Sequence, residues 1–343
     1  MKLCIFTDNH WTQSSSIIRK RGEKYSQRLE NQIRSLNWAV KTAKENCCDR
    51  ILCLGDFFDK AVLNSEEMTA LNELDLFNSV FYVDFLVGNH ETGSNDMTCS
   101  SAHVLSLYDK TNIIDTPKSE IIGNTELCYL PYTTNDKRKT IKEIFGGKRA
   151  DKRIIFSHND IAGIRYGAFL SVLGYEINDI EENCDLFLNG HLHNGEFVTD
   201  KIINLGNLTG QNFSENAFKY SHCLMILDTD TLQLEWYENP FAFNFYKIEN
   251  VSEIDIDLKQ IKNNAVLTVK TPAHKLSEIK QLLEDCDQVI EYKIVLDNEV
   301  RDVEANRQED LSIDHLEKFK EFVFDTIGTS DMIKEELEEV CDK

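Results

Sequence analysis

Five of the nine histidines fall in four short clusters: Asp8-Asn9-His10, Gly88-Asn89-His90-Glu91, Ser157-His158-Asn159 and Gly190-His191-Leu192-His193. A fifth cluster, Gly55-Asp56-Phe57-Phe58-Asp59, adds carboxylates. Carboxylate, amide and imidazole together are the donor set of Mn2+ or Fe, with Zn2+ compatible. On an extended backbone residues i and i+2 share a face, so Asp8 and His10 can reach one ion. Taken singly, each cluster has an ordinary reading: a strand-end turn, a Gly-Asp loop, a chance His-x-His. Five in this order, each at or just past the end of a predicted strand, argue for one metal centre, because open α/β sheets place their sites at strand ends. The glycines allow close approach of backbone to such a site.

The elements that would position these side chains are legible from periodicity. Residues 2–7, 50–54 and 80–87 read as strands. Leu29, Ile33, Leu36, Val40 and Ala43 mark one face of a helix, and Met68, Leu71, Leu74 and Phe77 suggest a second. Strand–helix–strand alternation predicts an α/β layered domain. Beyond Arg153 come five apolar runs with less helix between them, at 154–157, 185–188, 202–205, 222–228 and 232–237. They predict a second sheet in the same domain. Residues 265–270, 275–283 and 288–296 read as a small strand–helix–strand unit. A charged linker (297–310) then leads to two amphipathic helices carrying Leu316, Phe319, Val323 and Ile327, then Ile333, Leu337 and Val340. The expected organisation is a catalytic domain over 1–245, an α/β cap over 250–297 and a linker with helices over 298–343.

The chain has 343 residues, 41% of them hydrophobic, and a formal charge of −22. That is enough apolar material for a sizeable core, and no run is long enough for a membrane span. The first seven residues are too short for a signal-peptide core. Ten cysteines with no C-x-x-C pair, several inside apolar runs, read as buried thiols of a reducing compartment, the cytoplasm. His103 and His222 read as structural, His274 and His315 as surface residues. Net acidity opposes nucleic-acid binding, but residues 251–343 carry −12 of the −22. Basic residues meanwhile cluster at Arg19, Lys20, Arg21, Lys24 and Arg28, shortly after the first motif, and again between Lys137 and Arg153. Either cluster is a solvated face or a contact for phosphates.

The motif order resembles that of the calcineurin-like metallophosphoesterases, over residues 8 to 193. The resemblance implies a two-sheet sandwich flanked by helices and two divalent ions, Mn2+ foremost with Mg2+, Fe or Zn2+ compatible. Asp8, His10, Asp56 and His193 would hold one ion, and Asp56, Asn89, His158 and His191 the other. Together the ions would activate a hydroxide and clamp the phosphoryl oxygens. His90 would protonate the leaving oxygen, oriented by Asp59 or Glu91, and Asn207 would line the site. Ser/Thr protein phosphatases of the family carry Arg-Gly after the second motif, where this chain has Lys60-Ala61. Small-nucleotide phosphodiesterases usually stop soon after His-x-His. The whole chain is more similar to the Mre11/SbcD-type DNA nucleases, including phage versions. The segment Leu205-Gly206-Asn207-Leu208-Thr209-Gly210-Gln211-Asn212-Phe213 resembles theirs, departing at Asn207 and Leu208. This resemblance implies exonuclease activity on double-stranded DNA, with or without endonuclease activity, in DNA repair, recombination or replication. It also implies a Rad50/SbcC-like ATPase docked on the C-terminal helices and a homodimer contact around Met68–Phe77 and the segment after Asn95. The competing readings are a protein phosphatase, a small-nucleotide phosphodiesterase, or a scaffold that keeps only the fold.

Overall fold

Short apolar runs buried on both faces belong in the middle of layered sheets, with helices outside. The computed structural model describes residues 1–93, 97–166 and 169–297, and Met1–Leu296 form one compact unit. The predicted linker and helices of 298–343 lie outside the described residues.

Two six-stranded sheets face each other. The first contains β1 (Lys2–Phe6), β2 (Arg50–Cys53), β3 (Tyr82–Leu86) and β4 (Thr111–Ile114), all parallel. The second contains the hairpin β5 (Lys118–Ile122) and β6 (Thr125–Leu130), then β7 (Lys152–Ser157), β10 (Leu186–Asn189), β12 (Ile202–Asn204) and the edge strand β11 (Glu196–Phe197). A separate small hairpin joins β8 (Arg165–Tyr166) and β9 (Phe169–Leu170). Leu3, Ile5, Leu52, Leu54, Tyr129, Phe156 and Leu188 fill the space between the sheets. The alternate residues Cys4, Phe6, Ile51 and Cys53 pack outward under α1 (Gln27–Glu45). That helix starts where the Ser26 side chain accepts from the Leu29 amide, and it buries Leu29, Leu36, Val40 and Ala43 as their spacing predicts.

Three elements differ from the sequence-based expectation. The runs at 222–228 and 232–237 form β13 (Cys223–Asp228) and β14 (Gln233–Glu238), which return to the first sheet beside β1. The reason is that β13 is apolar on both faces. Leu224 and Ile226 enter the core under α1, while Met225 and Leu227 enter the core between the sheets. The hairpin that completes the second sheet gives little signal, because β5 is a half-exposed edge strand. The predicted helix through Met68–Phe77 is broken into α2 (Ser65–Ala70), a short 3-10 turn and α3 (Asp75–Asn78). Leu74 between them is extended, and the Asn37 side chain on α1 accepts from the Asp75 amide at 2.8 Å.

The outer face of the second sheet carries α4 (Ile141–Phe145) and α5 (Ile177–Asn183) over Cys128, Leu130 and Ile155. Buried Arg153 organises this layer. It pairs with buried Glu126, its neighbour on β6, at 2.9 Å. It also donates to the carbonyls of Gly146, Gly147 and Asn183, at the ends of both helices.

A three-stranded sheet forms the cap: β15 (Asn244–Ile248), β16 (Ala265–Pro272) and β17 (Val289–Asp297), with α6 (Ile254–Leu258) and α7 (Leu276–Glu284). Tyr246, Ile248, Leu267, Val269, Ile279 and Leu283 make its core. Phe245 and Val266 on the opposite face cover Ile18, in the loop that follows the first motif.

Glu126→Gln leaves the Arg153 cation buried without its counter-charge, so a loss of about 3 kcal/mol is expected. Burial opposes the Glu126 carboxylate, but Arg153 and Arg149 outweigh it and hold its pKa below the ordinary glutamate value. Its contribution is therefore present at neutral pH and is lost as pH falls through the lowered value. Urea unfolding at pH 7 and at acid pH checks both points. Equal midpoints for variant and wild type at pH 7 would contradict the role given to this pair.

Candidate metal centre

The carboxyl ends of β1, β2, β3, β7 and β10 meet along one edge of the sandwich, and all five motifs begin there. Asp8 and His10 converge, but not on the extended backbone that their spacing suggests: their φ values are 50° and 48°. Asp56 and His191 are also left-handed, at 47° and 73°. For residues with a Cβ this conformation costs roughly 1–2 kcal/mol each, so the surroundings must impose it. The Asp8, His10 and Trp11 amides donate to the carbonyls of Gly55, Asp56 and Phe57, locking motif one against motif two. Two glycines make room. A Cβ on Gly55 (φ +105°) would collide with the His158 ring, and one on Gly88 with the Asp56 carboxylate.

Each of four imidazoles gives one nitrogen to an acceptor behind it. Nδ1 of His10 lies 3.2 Å from the Asp59 carboxylate, and Nδ1 of His193 lies 2.8 Å from Glu215. Nδ1 of His158 is 2.6 Å from the Leu54 carbonyl, and Nε2 of His191 is 3.1 Å from Asp160. These contacts take the N–H of each neutral ring, so the other nitrogen of each presents a lone pair to the interior. There the lone pairs meet only acceptors. His10 Nε2 and His193 Nε2 are 3.1 Å apart. His158 Nε2 is 3.1 Å from Asp56 Oδ2 and 3.3 Å from Asn89 Oδ1, and His191 Nδ1 is 3.0 Å from the same Asn89 oxygen. Buried Asp8 Oδ1 has no hydrogen-bond donor. Such a cluster repels itself unless protons or metal cations sit inside it, and a set of carboxylate, amide and imidazole donors fits metal ions. Asp8, His10 and His193 make one group, Asp56, His158 and His191 another, and Asp56 also meets His10 and His90.

The electrostatics agree. Burial disfavours a charged His158, yet Asp56 and Asp8 outweigh it and push its pKa up to about 9. A field that favours a proton there favours a metal cation too. Burial also opposes charge on His193, and Glu215 again raises its pKa. For His10 burial wins and the pKa falls.

A family model, "Calcineurin-like phosphoesterase", matches residues 1–195. The chain belongs to this family. It is a metallophosphoesterase-type hydrolase of phosphoesters, with the two-sheet fold of that group. Solved structures with a similar fold include a dimetal phosphatase from Danio rerio, at 14% identity and TM-score 0.39, covering 66% of this chain and 91% of that one. The phosphoesterase Yfce from E. coli matches at 12% and 0.34, over 70% and 100%. A purple acid phosphatase from yellow lupin (Lupinus luteus) seeds matches at 14% and 0.48, over 70% and 51%. No curated protein matches the chain.

The phosphoesterase centre brings together all seven expected ligands and His90, whose ring meets His10 edge-on at 4.6 Å between centroids. Residues 88–91 turn, so side chains do not diverge there as on an extended chain; the His90 amide donates to Asp56 Oδ1 at 2.9 Å. Neither expected carboxylate orients His90. Its Nδ1 lies 3.1 Å from the Asp59 carbonyl, while the Asp59 carboxylate serves His10. Glu91 is buried and accepts from the Phe57, Phe58 and Gly88 amides, clamping motif two to motif three. Burial, then Asp56, pushes its pKa up to about 8. Asn207 is buried, and its side-chain atoms lack hydrogen-bond partners; its amide donates to the His193 carbonyl.

Asp160 and Glu215 escaped the sequence reading. Asp160 follows the Ser-His-Asn motif by one residue, which was a usable signal; Glu215 lies in a loop 22 residues from its histidine, with none. Of the remaining histidines, His103 pairs with Asp115, His222 is buried against the Asn207 carbonyl and His274 is exposed. His315 is outside the described residues.

Of the first basic cluster, Arg19, Lys20, Arg21 and Lys24 are exposed. Arg28 is buried and donates to the Gly210 carbonyl and the Gln211 side chain. Arg21 pairs with Glu66, Lys24 with Glu73, and Lys20 donates to the Ile290 carbonyl of the cap. Arg19 is exposed and donates to the nearby Ser16 carbonyl. In the second cluster Arg149 and Arg153 hold Glu126, Lys148 pairs with Asp185 and Lys152 donates to the Asp230 carbonyl.

Carboxylates behind metal-binding histidines typically contribute 10–100-fold to metal affinity. Glu215→Gln is therefore expected to weaken Mn2+ binding by about tenfold or more, read by calorimetric titration. An unchanged affinity would contradict its orienting role.

Proposed function

We propose that this phosphoesterase is a Mn2+-dependent DNA nuclease, an exonuclease with or without endonuclease activity, working as the subunit of a Rad50/SbcC-like ATPase complex. The observation that carries the DNA reading is the cap packed on the loop after motif one. Such an addition, packed through Phe245 and Val266 on Ile18, would give a polymeric substrate more surface than a small phosphomonoester requires. Asp8, His10, Asp56 and His193 would hold one ion, and Asp56, Asn89, His158 and His191 the other. Mn2+ is the ion proposed, and Mg2+, Fe or Zn2+ is compatible with the same donors. When bound, such ions neutralise phosphoryl charge and lower the pKa of water.

The chain's own residues supply the rest. Asp59, Leu54, Asp160 and Glu215 hold the four rings so that each aims one chosen nitrogen inward. His90 is exposed at the rim. With Nδ1–H donating to the Asp59 carbonyl, Nε2 is the atom turned to the leaving oxygen, and it delivers a proton from the imidazolium form of the ring. A homodimer through the 68–77 region is supported by exposed Met68 and Val80 and by nearby Leu107. The ATPase would dock on the two amphipathic segments that the sequence predicts beyond residue 298.

Purified protein with Mn2+, offered linear duplex DNA, a phosphopeptide and a cyclic nucleotide, tests the reading. DNA cleavage is expected, lowered about 10²–10⁴-fold in His90→Ala and abolished in Asp56→Ala. Intact DNA beside a hydrolysed phosphopeptide or cyclic nucleotide would replace the nuclease reading. No activity with any substrate, even with the ATPase co-expressed, would favour the scaffold.

A further inference from the structure

Asp160 backs His191 from a loop, with its side chain 28% exposed. The Glu215 carboxylate, which backs His193, also accepts the Gln211 amide at 2.7 Å. Among the described residues no backbone amide anchors the Asp160 carboxylate in that way. Its Oδ1 lies 3.1 Å from His191 Nε2, and its Oδ2 faces Arg138, whose Nη2 is 3.9 Å away.

Arg138 belongs to the second basic stretch, yet its side chain is only 11% exposed. Nη2 donates to the Thr133 carbonyl at 3.1 Å, and Nη1 donates to the Asn135 side chain. The guanidinium lies over the Tyr175 ring, 5.1 Å from its centroid. Tyr175 in turn donates its amide to the Asp160 carbonyl at 2.9 Å. The charge therefore has a set position. Three carboxylates back ligand histidines: Asp59, Asp160 and Glu215. Among the described residues, Arg138 is the one arginine or lysine within 4.0 Å of any of them.

An ion pair of this length at a partly open site adds little stability by itself. What it fixes is direction. With Oδ2 held towards Arg138, Oδ1 stays on His191 Nε2, so the ring keeps its proton there and its bare Nδ1 inward, 3.0 Å from Asn89 Oδ1. Burial opposes charge on Asp160, but His191 and Arg138 outweigh it and hold its pKa below the ordinary aspartate value.

We infer that Arg138 is a positioning residue of the metal centre. Through Asp160 it sets the tautomer and aim of His191, and so governs the ion that Asp56, Asn89, His158 and His191 would hold. The inference rests on the two-ion reading above and is independent of the substrate.

Two measurements on the full chain test it. The first is nitrogen-15 NMR of the metal-free protein with labelled histidine, at alkaline pH where a free imidazole is neutral. Wild-type His191 is expected to carry its proton on Nε2, and Arg138→Met to give a mixture of both tautomers. The second is calorimetric titration with Mn2+. Arg138→Met is expected to weaken one of the two ions by about fivefold or more, less than the roughly 10–100-fold set by a ligand's direct partner. Asp160→Asn alone is expected to show the mixed tautomer and the weaker ion, and adding Arg138→Met to it changes neither readout further. The control Lys41→Met makes the same charge change on the exposed side of α1 and should match wild type. Thermal unfolding confirms that each variant is folded, and Arg138→Gln takes the place of Arg138→Met if that variant is not. A wild-type tautomer and affinity in Arg138→Met, an equal loss for both ions, or additive losses in the double variant would overturn the inference. Fewer than two Mn2+ per wild-type chain, with the tautomer mixed in Arg138→Met, would keep the hold of Arg138 on His191 and sink the two-ion reading. Two ions bound alike by both proteins, with the tautomer unchanged, would do the reverse.

Discussion

The two inward nitrogens of His10 and His193 stand 3.1 Å apart with their protons given to Asp59 and Glu215 behind them. Asp56, Asn89, His158 and His191 repeat the conflict on the other side, acceptor against acceptor. Buried lone pairs that face one another cost free energy, and in a low-dielectric interior they cost more than in water. A proton on one ring relieves either conflict singly, and metal cations would resolve both at once. Four left-handed backbone positions and two glycines that admit no Cβ are the means by which the chain brings these groups so close.

That concentration of unfavourable geometry needs a rigid frame. The frame is two sheets whose parallel strands end at one edge, with a shared core between them. Amide-to-carbonyl bonds beyond the strand ends continue the pairing of β1 and β2 into motifs one and two. Glu91 ties motif two to motif three through three amides. On the far face of the second sheet, the Arg153–Glu126 pair anchors the helix ends that cover it. Strain sits at the centre, and the hydrogen bonds and packing that offset it lie behind and below.

Much of this was legible in the residues. Strand-end placement of the motifs follows from short apolar runs ending in Asp, Asn and His, and the α1 stripe is explicit in Leu29, Leu36, Val40 and Ala43. What was not legible depended on distant partners. Nothing local says that β13 returns to β1, since Leu224 and Met225 would suit the middle of either sheet. The left-handed turns at Asp8 and His10 have no signature, because the bonds that impose them come from Gly55 and Asp56. The basic stretch from Arg19 to Arg28 looks alike in sequence whether its charges face solvent or, as with Arg28, the Gly210 carbonyl. Glu91 was placed beside the right histidine and given the wrong task, because its neighbours in space are amides of another motif.

Among the described residues, Asp56 is the one carboxylate that shares a cluster with histidines of both groups, through His10 on one side and His158 on the other. If two cations occupy the centre, they share it. Electron paramagnetic resonance of the Mn2+-titrated protein tests this most directly. The account predicts two Mn2+ per chain and an exchange-coupled spectrum, replaced by that of isolated ions in Asp56→Asn. One ion per chain, or two that remain magnetically independent in the wild type, would contradict it.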